Sequence, residues 1–193
     1  MRVLIIDDKA EDRRLMEDTV RSARPDAEVM SLDESADLSG INGGERHKRV
    51  HIVTFGEFAV FADGRPVDFR YSKAMELFAL LVDRRGKSVD NGLIRRILWQ
   101  ESDGTSNHSS YISTLKKELL QVFAAKGITD ILHLSGQEIA LVTESVDCDY
   151  YDYLEDKEDS IRFDGSYMEQ YSWAESTVGL LHSIAEYRSN YNK

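Results

Sequence analysis

Apolar residues recur along this chain in stretches of different period. Val3, Leu4, Ile5 and Ile6 form a run that closes on Asp7 and Asp8, the pattern of a short buried strand leading into an acidic loop. Leu15, Met16 and Val20 follow at helical spacing within residues 11–23. Pro25 and Asp26 break that helix, and residues 27–32 predict a second strand. Residues 33–49, with their Ser, Gly and Asp and the pair Gly43-Gly44, read as a linker. Residues 1–32 are therefore expected to be one βαβ unit, too small to hold a core by itself.

The middle of the chain, residues 50–149, has a richer pattern. Residues 51–56, 57–62 and 65–70 predict short strands, the last two joined at Asp63-Gly64, a hairpin turn signal. Ser72 stands where a helix cap belongs, ahead of Met75, Leu77, Phe78, Leu80, Leu81 and Val82, and Gly86 ends that helix. Ser88 is expected to open a second helix through Leu93, Ile94, Ile97, Leu98 and Trp99. A turn at Asp103-Gly104 leads to a third helix over residues 106–126, stopped by Gly127. Residues 131–134 and 139–142, around Ser135-Gly136-Gln137, predict a closing hairpin. Strands, three helices and a hairpin, in that order, define a winged helix-turn-helix.

The third helix has two distinct faces. At about 100° per residue, Ile112, Leu115, Leu119 and Phe123 align, with His108 beside them, as a core stripe. Opposite lie Asn107, Ser110, Thr114, Lys117 and Gln121, with Ser106 and Ser113 at the margin. Hydroxyl, amide and amine groups nearly free of carboxylates suit base edges and phosphates in a major groove. Asn107, Ser110, Ser113, Thr114 and Lys117 are thus candidate DNA contacts. Lys73, Arg84, Arg85, Lys87, Arg95, Arg96 and Lys116 are candidates for the phosphate backbone.

Residues 150–193 are rich in tyrosine and acid. Tyr150, Tyr151, Tyr153 and Leu154 predict a short helix. Ser172 stands ahead of a last helix carrying Trp173, Val178, Leu180, Leu181, Ile184 and Tyr187, with aromatic content suited to packing. Asp147, Asp149 and Asp152 lack the glycine and the terminal glutamate of a calcium loop, so no metal is expected there.

Charge sharpens the picture once it is divided along the chain. The net charge of -11 is distributed as -6 over residues 1–45, +5 over residues 46–129 and -10 over residues 130–193. A basic centre between acidic ends permits phosphate binding locally while weakening nonspecific attraction to a polyanion. The single cysteine, Cys148, excludes an internal disulfide framework and a cysteine-based zinc site. No signal peptide or apolar run long enough to cross a membrane is found, and a cytoplasmic location is expected. The sequence contains no Gly-x-Ser-x-Gly, His-Glu-x-x-His, Gly-x-x-x-x-Gly-Lys or Gly-x-Gly-x-x-Gly, and His133 and Ser135 lack an obvious third partner, so an enzyme is not expected.

Family resemblances follow from particular residues. Ser72-Lys73 through Leu81, Leu93 to Trp99, Ile112-Ser-Thr-Leu115-Lys116-Lys117-Glu-Leu119 and the Gly136 hairpin resemble the OmpR-type winged helix of bacterial response regulators. Cys148-Asp-Tyr-Tyr151 and the stretch from Phe163 through Tyr171-Ser-Trp173 to Glu175 are similar to the start of the bacterial transcriptional activator domain of SARP-type regulators. The first 32 or so residues resemble the opening of a phosphoacceptor receiver, its acidic pair at Asp7-Asp8. These resemblances imply an α+β chain: a truncated receiver-like unit over 1–32, a linker over 33–49, a winged-helix DNA-binding domain over 50–149 and a truncated activator-like helical segment over 150–193. They imply a transcription regulator, an activator, that binds double-stranded DNA and recruits RNA polymerase without a cofactor. The receiver's later strands, with its phosphoacceptor Asp, have no counterpart before residue 50, so phosphorylation control is not expected and Asp7 and Asp8 are at most a vestigial magnesium site. Without that half, pairing is expected only on repeated DNA sites. The wing turn has no Arg or Lys, which leaves a second reading: a protein-interaction adaptor that acts through its acidic ends.

Overall fold

A computed structural model describes residues 2–6, 14, 16, 19–22, 28–32, 48–99, 108–157 and 160–191. The chain divides into two compact units, Met1–His47 and Lys48–Lys193. In the first, β1 (Arg2–Ile6) and β2 (Glu28–Leu32) pair in parallel, Arg2 opposite Glu28 and Ile6 opposite Leu32. Residues 14, 16 and 19–22 between them are helical, the crossover that a parallel pair requires. Asp7, Asp8 and most of the expected linker lie outside the described residues.

The second unit begins with β3 (Val50–Val53), β4 (Ala59–Ala62) and β5 (Arg65–Pro66). With β8 (Val146–Cys148) they form a four-stranded sheet in the order β5-β4-β3-β8, in which β3 runs antiparallel to β4 and parallel to β8. Val50 and Ile52 point into the core while His51 faces out, the alternation of a half-buried strand. Asp63 and Gly64 both have positive φ, 50° and 72°, which fits the type I′ turn expected between β4 and β5. All three strands are shorter than expected.

Helix α1 (Ser72–Asp83) fills the centre of this unit, with Ala74 and every residue from Leu77 to Val82 buried. Tyr71, not Ser72, occupies its N-cap position, and no side chain caps it. Helix α2 (Asn91–Trp99), by contrast, starts later than expected. Asp90 is the cap: its Oδ1 accepts from Leu93 N–H at 2.7 Å, because the preceding Val89 is held by paired backbone bonds to Ile139. Helix α3 (Ser109–Ala124) ends in a Schellman motif. Ile128 N–H donates to the Phe123 carbonyl at 3.0 Å and Gly127 N–H to Ala124 at 2.9 Å, with Gly127 at φ 67° and Phe123 and Ile128 buried. Strands β6 (Leu132–Ser135) and β7 (Glu138–Leu141) form the hairpin expected as the wing, turning at Gly136-Gln137 and anchored by Ile139 and Leu141.

The tyrosine-rich segment is part of the same core. It consists of α4 (Asp149–Leu154) and, after a 3-10 turn at Ser172–Ala174, α5 (Glu175–Tyr191). Asp149, 6% exposed, accepts from the N–H groups of Thr54, Phe55 and Tyr150 and from the Thr54 hydroxyl at 2.6 Å. This carboxylate closes the end of β3. It belongs to the framework, and no group of three metal-ligating side chains gathers among the described residues. Gln170 pairs with both backbone groups of Phe58, Tyr151 Oη donates to the Val82 carbonyl and Thr177 Oγ1 to Asp83 Oδ1. Tyr150, Tyr167 and Met168 are buried in the shared core, with the Tyr150 and Tyr167 rings edge to face at 5.1 Å.

Candidate nucleic-acid interface

Helices α2 and α3, with the wing, display the chemistry the sequence singled out. Ile112, Leu115, Leu119 and Phe123 of α3 are buried against α1, which leaves Ser110, Ser113, Thr114, Lys117 and Gln121 exposed together. No carboxylate lies among the exposed positions of α3; Glu118, on its flank, is half-buried and accepts from Arg70 N–H at 2.9 Å. Asn107 and Ser106 lie outside the described residues, as does the Asp103-Gly104 turn.

Two hydroxyls on this face are already engaged as donors. Ser113 Oγ donates to the Ser109 carbonyl at 3.0 Å and Thr114 Oγ1 to the Ser110 carbonyl at 3.1 Å. Each hydroxyl has one proton, so in these rotamers what it offers outward is acceptor lone pairs. Arg95, on α2, reaches α3 through Nη2 to Ser109 Oγ at 3.2 Å, and Arg96 is exposed in the last turn of α2.

Two of the expected phosphate contacts are engaged within the fold, and three others line a cavity beside the C-terminal segment. Lys116 is buried, 8% exposed, and its ammonium donates to Asn91 Oδ1 at 2.7 Å and to the Gln137 carbonyl at 2.6 Å. It ties the start of α2 and the wing turn to α3, so it is not available to DNA. Burial pushes its pKa below 10.5, opposed by the carboxylates of Asp90 and Glu138. Lys73 is spent in the same way: Nζ donates to Glu76 Oε2 and to the Leu98 carbonyl at 2.6 Å and sits 5.7 Å from the Trp99 ring centroid. It joins α1 to the end of α2. Arg84, Arg85 and Lys87 follow α1, where the turn places them beside the C-terminal segment. Arg85, at φ 51°, lies over the Tyr150 ring, and all three line a cavity shared with Trp173 and Thr177.

Sequence reasoning missed the aromatic support of this surface. Trp99 stacks flat on His108 at 4.3 Å and meets Tyr111 edge to face at 5.9 Å, and Tyr111 meets Tyr71. These rings bracket the connection between α2 and α3. The only signal was Trp99 and His108 at either end of a polar, Ser- and Gly-containing stretch. Arg70, whose guanidinium lies 5.3 Å from the Tyr71 ring centroid, adds an exposed cation beside α3.

No protein-family model matches the chain, and no curated protein matches it by sequence. Among solved structures, the fold is similar to that of Mycobacterium tuberculosis EmbR, solved in complex with a low-affinity phosphopeptide. The TM-score is 0.60 at 18% identity, over 72% of this chain and 43% of that one, so the chain spans less than half the length of that neighbour. The likeness extends to the fold alone: a mixed α+β arrangement of small sheets and helices. No helix among the described residues is long and apolar enough to cross a membrane.

Proposed function

We propose that this chain is a transcription regulator that binds double-stranded DNA and inserts α3 into the major groove. One observation carries the reading: α3 buries one face against α1 and leaves Ser110, Ser113, Thr114, Lys117 and Gln121 together on a face without carboxylates. The proposed contact set is Ser110, Ser113, Thr114 and Lys117, with Asn107 outside the described residues and Arg95, Arg96 and Arg70 toward the phosphates. The likeness in fold to EmbR supports a SARP-like arrangement, to which the residues of the winged helix and of the tyrosine-rich segment also point. Activation through RNA polymerase, pairing on repeated sites and independence from receiver phosphorylation belong to this proposal, as does the absence of catalysis.

The test is fluorescence anisotropy on DNA from upstream of the gene, beside scrambled DNA, across a salt series. Preferential binding is expected, with a log–log salt slope of roughly -3 to -6 for a few phosphate contacts. Lys117→Glu should abolish the preference. If it binds as well as wild type, the recognition face is wrongly assigned. If wild type binds neither DNA even at low salt, the regulator reading falls and a protein-interaction adaptor takes its place.

A further inference from the structure

Three of the candidate cations converge on a site of their own. Arg84, Arg85 and Lys87 line a cavity of about 370 Å³ between the turn after α1 and the start of α5. The one acid in its lining, Asp83, already accepts from the hydroxyls of Thr177 at 2.6 Å and Tyr167 at 3.2 Å. The lining therefore carries two positive charges in excess. Arg84 is half-buried in this lining, and no acid other than Asp83 lines the cavity to pair with it. The rest of the lining is mixed: Ile97 of α2, Leu180 of α5 and the indole of Trp173 form an apolar side, beside Tyr150, Ser176 and Thr177.

We propose that this cavity binds a phosphorylated small molecule of about mononucleotide size. A dianionic phosphoryl group neutralises the excess charge of Arg84, Arg85 and Lys87, since guanidinium groups grip phosphate through several donors at once. A bare anion leaves the apolar side unused, so the ligand has an organic part that lies against Ile97, Leu180 and Trp173. Its walls come from α1, α2 and α5, so its occupancy bears directly on the orientation of those helices. The site stands independently of DNA binding by α3.

The experiment is calorimetric titration of the full chain with AMP, ribose 5-phosphate, adenosine and inorganic phosphate. Trp173 fluorescence is followed in parallel in a Trp99→Phe background. AMP is expected to bind and change Trp173 emission, adenosine to be silent, and inorganic phosphate to compete weakly. Arg84→Gln should weaken AMP by about tenfold or more, the loss of a charge-assisted contact, with Arg84→Lys recovering part of it. Lys87→Gln, at an exposed connector position, gives a second reading that does not depend on packing. Equal affinity for AMP and adenosine overturns the phosphoryl assignment, and equal affinity for AMP and inorganic phosphate overturns the organic part. AMP binding untouched by both Arg84→Gln and Lys87→Gln, or absent at millimolar concentration, overturns the site. Loss of DNA affinity in these variants without any AMP binding returns the cations to the DNA surface.

Discussion

Lys116 and Lys117 are neighbours in sequence with opposite fates, and substituting each by Met separates structure from recognition. Lys116 Nζ makes two short hydrogen bonds, to Asn91 Oδ1 and the Gln137 carbonyl, from a nearly buried position. Hydrogen bonds from a charged donor are worth about 1.5–3 kcal/mol each, but Met also removes the cost of burying an ammonium. Asn91 is half-buried and Gln137 exposed, so water reaches part of what is lost. The net cost of Lys116→Met is then about 1–2 kcal/mol, whereas Lys117→Met, on an exposed face, should stay within about 0.5 kcal/mol. Urea unfolding followed by circular dichroism measures both. DNA anisotropy should show the reverse order, with Lys117→Met flattening the salt slope by about 0.9, one phosphate contact.

The pH dependence carries the same signature. The folded pKa of Lys116 lies below 10.5, so the folded protein releases that proton first and the unfolded chain binds more protons over the interval. Wild-type stability relative to Lys116→Met is constant at neutral pH and rises as pH climbs through the lowered pKa toward 10.5. Two results refute this division: a Lys116→Met variant as stable as wild type, or a Lys117→Met variant that loses stability in step with DNA affinity.

Two further perturbations test the core. Asp149→Ala leaves the buried N–H groups of Thr54, Phe55 and Tyr150 without their acceptor and should cost about 3–5 kcal/mol, read as a lower urea midpoint; a loss below about 1 kcal/mol removes Asp149 from the framework. Burial pushes the Tyr150 pKa up to about 12, partly offset by Arg85, so the folded state keeps a proton that the unfolded chain loses above 10.0. Stability should therefore fall between pH 10.0 and about 12, and Tyr150→Phe should make that alkaline loss shallower in pH-dependent melting.

Local signals in the sequence survived where the physics is local. Asp63-Gly64 announces a turn because two adjacent positive φ angles suit those residue types, and Gly127 stops α3 because a Schellman motif needs a left-handed residue. The core stripe of α3 follows from helical geometry alone. Signals failed where the partner lies far along the chain. Nothing near Lys116 marks it as buried, because its acceptors are 25 and 21 residues away. Asp149 sits among acids that invite a metal reading, but its partner Thr54 is 95 residues distant. Ser88 and Asp90 are equally good caps by type, and the choice falls to Asp90 because Val89 is committed to the wing.

Removing Lys73 and Lys116 from the candidate interface changes the kind of recognition it supports. With no cation in the wing turn, the positive charge near α3 reduces to Lys117, Arg70, Arg95 and Arg96. So few phosphate contacts give modest nonspecific affinity, with a log–log salt slope of roughly -3 to -4, further reduced by the acidic balance elsewhere in the chain. Discrimination then rests on the α3 side chains. The hydroxyls of Ser113 and Thr114, donating to their own helix, present lone pairs outward, which match the amino groups of adenine and cytosine in the major groove better than phosphate oxygens. Lys117 pairs instead with guanine acceptors or a phosphate. On this reading the protein binds DNA by a short pattern of base edges on a weak electrostatic background, and two copies on repeated sites provide the affinity that one lacks.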